Sequence, residues 1–175
     1  MAEFESFDWS GISYSQTYMK SLFDYVSVHP FVKGLELGFD QGASALAFLR
    51  ACPEAKLTSV DISQCEGAQA RVRANGFGER FTFIEGDSRE VLKSIEGKFD
   101  LIYIDADHLY EPTYEDLVNS SKLLVEGGYM IADDADPTHQ NFGSGRAIDR
   151  FCSEYGFIKQ QLDGSPSAAV VLRKL

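Results

Sequence analysis

The sequence is short of cysteine and of basic residues, and it has no long apolar run. Its three cysteines, Cys52, Cys65 and Cys152, are an odd number without a CxxC pair, so neither a disulfide framework nor a zinc cluster is indicated. They read as reduced thiols of a cytosolic protein. Only 16 Lys and Arg stand against 27 Asp and Glu, a formal charge of −11, with no local basic cluster to offset it. Such a surface repels a phosphate backbone and argues against nucleic acid as a partner. No apolar stretch approaches the ~20 residues of a membrane span, and the opening MAEFESFDWSG lacks the basic and apolar segments of a secretory signal. With no repeat or linker-like tract either, the 175 residues read as a single soluble, cytoplasmic domain. Within it, residues 1–30 form an arm and a covering helix, and residues 31–175 the core.

What is present is one unit, repeated. Gly34 to Gly42, GLELGFDQG, is an apolar run that closes on a carboxylate and glycines and leads into a helical pattern at Ala43. That is how a buried strand delivers a small ligand to a helix N-terminus. The rhythm of apolar run, acidic residue and helix returns around Asp61, Asp87, Asp105 and Asp133. Strands are expected at Lys33 to Gly38, Lys56 to Asp61, Arg80 to Glu85, Phe99 to Asp105 and Tyr129 to Ala132, with Phe99 to Asp105, the most apolar, central in the sheet.

Between the strands, helical spacing places Tyr18, Leu22, Tyr25 and Val26 on one face of a covering helix, ended by His29-Pro30. It also aligns Ala45, Phe48, Leu49 and Cys52, then Val91, Leu92 and Ile95, then Tyr114, Leu117, Val118 and Leu124, and last Ile148, Phe151 and Tyr155. Ser63 with Glu66, and Thr113 with Asp116, have capping-box spacing, the first opening a helix to about Ala74; Asp87 or Ser88 caps another. Phe157 to Leu162 and Ala168 to Arg173 are joined by a segment too short for a crossover helix, so they pair antiparallel. The expected class is α/β: a doubly wound, mostly parallel sheet with a C-terminal antiparallel hairpin strand and the site at the carboxyl ends of the strands.

Glu36, Gly38 and Gly42 form an E-x-G-x-x-x-G turn, suited to a sharp bend and close ligand approach, though an ordinary strand-to-helix turn has the same form. The dinucleotide fingerprint needs glycine where Asp40 stands, and Asp40 would repel a pyrophosphate; a ligand without phosphates fits better. Asp61, at a second strand's end, is placed to accept from both ribose hydroxyls, or is a solvated strand end.

The ordered series GLELGFDQG, TSVD, EGDSRE, DLIYIDADH and GGYMIADD, from Lys33 to about Asp136, resembles the motifs of class I S-adenosylmethionine-dependent methyltransferases, which have a Rossmann-like sheet. The IDADH and ADD segments are similar to those of small-molecule O-methyltransferases of the macrocin and mycinamicin sugar type, and more distantly of the catechol and caffeoyl-CoA types. The resemblance implies cofactor contacts from Glu36, Gly38, Gly42, Ser44, Asp61, Asp87, Ser88 and Asp105, with the Gly38 turn around the methionine part, Asp61 on the ribose and Asp87-Ser88 at the adenine. It also implies Mg²⁺ held by Asp105, Asp133 and Asp134, and a hydroxylated small molecule, a sugar or catechol-like diol, as acceptor. Asp87 as a plain helix cap is compatible with that role.

Neighbouring strand ends lie only about 5 Å apart, so Asp105, Asp107, Asp133, Asp134 and Asp136 would crowd negative charge that a hard cation relieves. The competing reading has these acids facing only the sulfonium and solvent. Transfer of a methyl group needs an aligned oxygen of lowered pKa, for which His108 is a candidate general base or orienting group, or an ordinary loop histidine. His139 reads as exposed, His29 as a helix end and Trp9 as packing for the arm. Little sequence precedes the first strand compared with the resembled enzymes, which leaves the site open, completed by a second subunit of a homo-oligomer, or covered by Met1 to Tyr18. A non-catalytic cofactor-binding module and an NAD-dependent oxidoreductase are the alternatives.

Overall fold

The computed structural model describes Phe4, residues 12–165 and residues 168–175; Trp9 and the start of the arm lie outside the described residues. Seven strands are joined by helices: α1 (Gln16–Val28), β1 (Lys33–Leu37), α2 (Ala43–Ala51), β2 (Lys56–Asp61), α3 (Glu66–Val72), β3 (Phe81–Glu85), α4 (Ser88–Ser94), β4 (Phe99–Ile104), α5 (Tyr110–Leu123), β5 (Leu124–Ala132), α6 (Ser144–Tyr155), β6 (Phe157–Gln161) and β7 (Val170–Lys174). The sheet order is β3-β2-β1-β4-β5-β7-β6, with β4 in the middle as expected. β7 is antiparallel to both β5 and β6, so the reversed strand falls in the C-terminal hairpin. Among the described residues, no helix is long and apolar enough to cross a membrane.

Period-two alternation divides each central strand between two cores. In β4, Leu101 and Tyr103 pack with α1 and α2, whereas Ile102 and Ile104 pack with residues of α4, α5 and α6; Phe99 joins this second core because the strand register shifts between Phe99 and Leu101. The expected one-faced α2 is buried all round from Ala43 to Leu49, because α1 covers its outer side. Its small residues Ala43, Ser44, Ala45 and Ala47 permit that close sandwich.

Several local expectations are corrected. Ser63 does not cap α3: its backbone N–H donates to Asp61 (2.8 Å), and Cys65, at φ 48°, precedes the helix without a side-chain cap. That helix ends at Val72 and passes through a wide turn, Arg73–Phe77, where Gly76 takes φ 84°. Nor do Thr113 and Asp116 form a capping box, since α5 begins earlier, at Tyr110. The Thr113 hydroxyl instead donates to the Asp107 and Leu109 carbonyls, at 2.7 and 2.8 Å. Leu124 starts β5 rather than ending the helix, and Tyr155 is exposed, stacked on Phe151.

Glu36 lies fully buried within β1, where its carboxylate accepts from the Ser44 and Ser59 hydroxyls. Burial outweighs those bonds and pushes the group up to about 7 from its ordinary 4.5. Between those values the folded chain keeps a proton that the unfolded chain has released, so this contribution to stability is full below pH 4.5 and declines as pH rises to about 7. Asp116, buried and likewise raised to about 7, acts in the same direction. The permanently neutral Glu36→Gln is therefore expected to remove about 3 kcal/mol of that decline. Urea melts between pH 4.5 and 7.5 measure it, and an equally steep decline in the variant would refute the burial argument.

Candidate active site

Backbone hydrogen bonds that continue past the strand ends assemble the site. Asp105 N–H donates to Leu37 O (2.8 Å), Asp133 N–H to Ile104 O (3.0 Å) and Gly38 N–H to Val60 O (2.9 Å), so the ends of β2, β1, β4 and β5 are held side by side. The turn after β1 bends at Gly38, with φ +90°. A Cβ placed there would stand 2.0 Å from the Asp105 carbonyl oxygen, so the glycine is required by the passing chain itself rather than only by a ligand. Asp61 clamps the same turn from the other side: one carboxylate oxygen accepts from Phe39 N–H and Asp40 N–H, both at 2.9 Å, and the other from Ser63 N–H at 2.8 Å.

Two lobes meet over Gly38, Asp61 and Ala106. The first, of about 140 Å³, is walled by Ile62 and Pro112 and includes Asp87 and Ser88. Ile62 is 73% exposed, an apolar surface suited to one face of a planar base. The second lobe, of about 380 Å³, is lined by Tyr14, Asp40, Ser44, Asp105, His108, Asp133 and Asp134. Tyr14 Oη donates to Asp40 at 3.3 Å and Ser13 N–H to Gln41 at 2.9 Å, so this part of the arm rests on the turn.

Of the residues expected to meet a cofactor, Gly38, Asp61, Asp87, Ser88 and Asp105 line this cleft, as does Ser44, whose hydroxyl is spent on Glu36. Glu36 lies beneath the floor and lines neither lobe; Gly42, at φ +74°, opens α2 behind the turn. Asp87 is a helix cap as foreseen, and its carboxylate also pairs with Arg89 at 2.6 Å. Asp107 and Asp136 do not crowd the acidic lobe. Both are exposed, the first accepting from Leu109 N–H and the second from Thr138, and neither lines that lobe.

Asp105 is driven well above the ordinary carboxylate range by burial and then by the Asp133 charge. Asp134, held at φ 51°, brings a carboxylate oxygen to 2.6 Å from His108 Nδ1, and this partner raises the imidazole pKa. One ligand atom each from Asp105, His108 and Asp134 lie within 4.8 Å of one another. Two carboxylates and an imidazole suit a divalent cation, with His108 in the converging trio and Asp133 beside it.

Three tyrosines around this site carried no sequence signal beyond apolar periodicity. Buried Tyr103 Oη donates to Asp105 at 3.1 Å and lies 3.0 Å from the buried Tyr18 Oη of α1; Tyr14 reaches the lobe from the arm. Phe142, on the loop after β5, stacks between His108 and His139 at centroid distances of 4.7 and 4.2 Å.

This fold, with acids at successive strand ends around a cleft beside an open turn, is that of the class I methyltransferases. The methyltransferase-domain family matches residues 35–135, over half of the sequence, and the chain belongs to that family. It is 38% identical over 104 residues to the O-methyltransferase hkm8 of Aspergillus hancockii, covering 57% of this chain and 41% of that protein. It is also 37% identical over 99 residues to the ribosomal RNA small subunit methyltransferase H of Corynebacterium glutamicum, covering 54% of this chain and 29% of that protein. The matches span less than half the length of these curated relatives. In structure the chain resembles the S-adenosylhomocysteine-bound methyltransferase PaMTH1 of Podospora anserina, with TM-score 0.76 and 21% identity over 93% of this chain and 80% of that one.

Proposed function

We propose that the chain transfers a methyl group from S-adenosylmethionine to a hydroxyl of a small molecule, a sugar or catechol-like diol, with the help of a divalent cation such as Mg²⁺. The observation that supports this most is the pairing of a base-sized lobe with an acidic lobe across Gly38, Asp61 and Ala106. Asp61 retains lone pairs for ribose hydroxyls while it fixes the turn. The carboxylates of Asp105, Asp133 and Asp134 favour a sulfonium nearby.

Asp105 and Asp134, with Asp133 or His108 completing the set, would hold the cation, which when bound lowers the pKa of an acceptor hydroxyl. Tyr103 orients Asp105, and His108, paired with Asp134, orients the acceptor. Where Asp133 completes the cation set, the Asp134 partner raises the His108 pKa, which suits orientation of the acceptor better than proton abstraction. His108→Ala is accordingly expected to lower turnover by roughly 10- to 100-fold without changing the shape of the pH–rate profile. Loss of one limb of that profile would reinstate the histidine as a base.

Calorimetry with S-adenosylhomocysteine and with NAD tests the cofactor, and tight binding of NAD alone would overturn it in favour of an oxidoreductase. A panel of hydroxylated acceptors, assayed with and without chelator, tests the rest. Full activity in excess chelator removes the cation, and cofactor binding without transfer to any acceptor supports a non-catalytic module. The formal charge of −11 disfavours a nucleic-acid acceptor.

A further inference from the structure

The buried carboxylate of Asp116, on α5, has no part in the chemistry above. It is 1% exposed, and among the described residues its hydrogen-bond donor is the Ser88 hydroxyl, 2.9 Å from both carboxylate oxygens. Ser88 itself lines the smaller lobe, together with Ile62, Pro112, Asp87 and Arg89. A serine hydroxyl has one proton to give, and here it is given inward. What Ser88 presents to the lobe is therefore a pair of acceptor lone pairs. Its neighbour Asp87 is already engaged: one carboxylate oxygen accepts from Arg89 N–H and Nε–H, and the other from Arg89 Nη2.

We infer that Asp116 is a specificity-determining residue acting through Ser88: it fixes the Ser88 hydroxyl as an acceptor, so the lobe selects a 6-aminopurine, whose amino group donates, over a 6-oxopurine, whose carbonyl accepts. Placing a carbonyl oxygen against the lone pairs of Ser88 leaves two acceptors facing each other without a proton between them. The polarity of the contact is thus set by a residue that touches no ligand.

This rests on the cofactor assigned above, and the experiment separates the two. Binding of S-adenosylhomocysteine and of its deaminated analogue S-inosylhomocysteine is measured by calorimetry at pH 8.5, where Asp116 is ionised, for the wild type, Ser88→Ala and Asp116→Asn. The wild type is expected to prefer the adenine compound by roughly 10- to 100-fold. In Asp116→Asn the amide offers Ser88 a donor as well as an acceptor, so the hydroxyl is free to turn its proton toward a carbonyl, and in Ser88→Ala the acceptor is gone. Each variant should bring the preference down to within about threefold. Equal binding of both compounds by the wild type, or an undiminished preference in Ser88→Ala, overturns the inference while leaving the cofactor assignment intact. Failure of the wild type to bind S-adenosylhomocysteine overturns both. An undiminished preference in Asp116→Asn likewise overturns the inference, and should that variant lose its melting transition, Asp116→Ala, which also releases the Ser88 proton, is measured in its place.

Discussion

Asp105→Asn is expected to lower methyl transfer by about 10³-fold or more while leaving the fold and the binding of S-adenosylhomocysteine largely unchanged. Asparagine keeps the shape of the side chain and can still accept from Tyr103 Oη, now at 3.1 Å, so the local packing survives. What disappears is a carboxylate that a cation or sulfonium would hold ionised, at the junction of β1 and β4, beside Asp133 and within ligand distance of His108 and Asp134. The proposed chemistry uses that charge twice, for the cation and for the sulfonium. The sulfur of S-adenosylhomocysteine is an uncharged thioether, unlike the sulfonium it replaces, so its affinity should change by less than about fivefold. Single-turnover rates and calorimetry on the same preparation check the pair of outcomes. Retained turnover would remove Asp105 from the mechanism; lost affinity with unchanged turnover would make it a binding residue only.

Gly38→Ala should have the largest effect on the folded chain. The added methyl group would lie 2.0 Å from the carbonyl oxygen and 2.5 Å from the carbonyl carbon of Asp105, and both are backbone atoms that cannot rotate aside. Its φ of +90° adds conformational strain. Separating β1 from the end of β4 would also break the bond from Asp105 N–H to Leu37 O and displace Asp105 itself. A loss of roughly 3 kcal/mol or more is expected, together with loss of measurable cofactor binding. Gly76→Ala is the matched control. That residue has φ +84°, but its Cβ would meet nothing within 4 Å, so only the backbone cost of about 1 kcal/mol applies. Melting curves of the two variants separate collision from strain, and similar losses in both would show that the contact with Asp105 contributes nothing.

The strand ends and their acids were legible because a buried parallel strand must be apolar along its length and a charged residue marks where it leaves the core. Asp61, Asp105 and Asp133 follow that rule, and β4 is central as its composition implied. Helix starts were less legible. The S-x-x-E spacing at Ser63 and Glu66 was genuine, but Asp61 drew the Ser63 N–H into its own turn. That contact is a local Asx turn, two residues apart in the chain, and it competes directly with the cap.

The sequence by itself determined the α/β class, the reversed C-terminal hairpin and the row of acids at the cleft, since each depends on local periodicity, connection length and charge. Tertiary structure alone decided which polar groups face the cleft and which lie behind it. Glu36 looked like a ligand residue and is part of the buried floor; Asp116 looked like a helix cap and stands behind Ser88; Tyr18 looked like core and its hydroxyl meets Tyr103. Those partners are 23, 28 and 85 residues apart in the chain. Local spacing contains no information about such contacts, because they come into existence only when the strand order and the stacking of helices bring distant segments together.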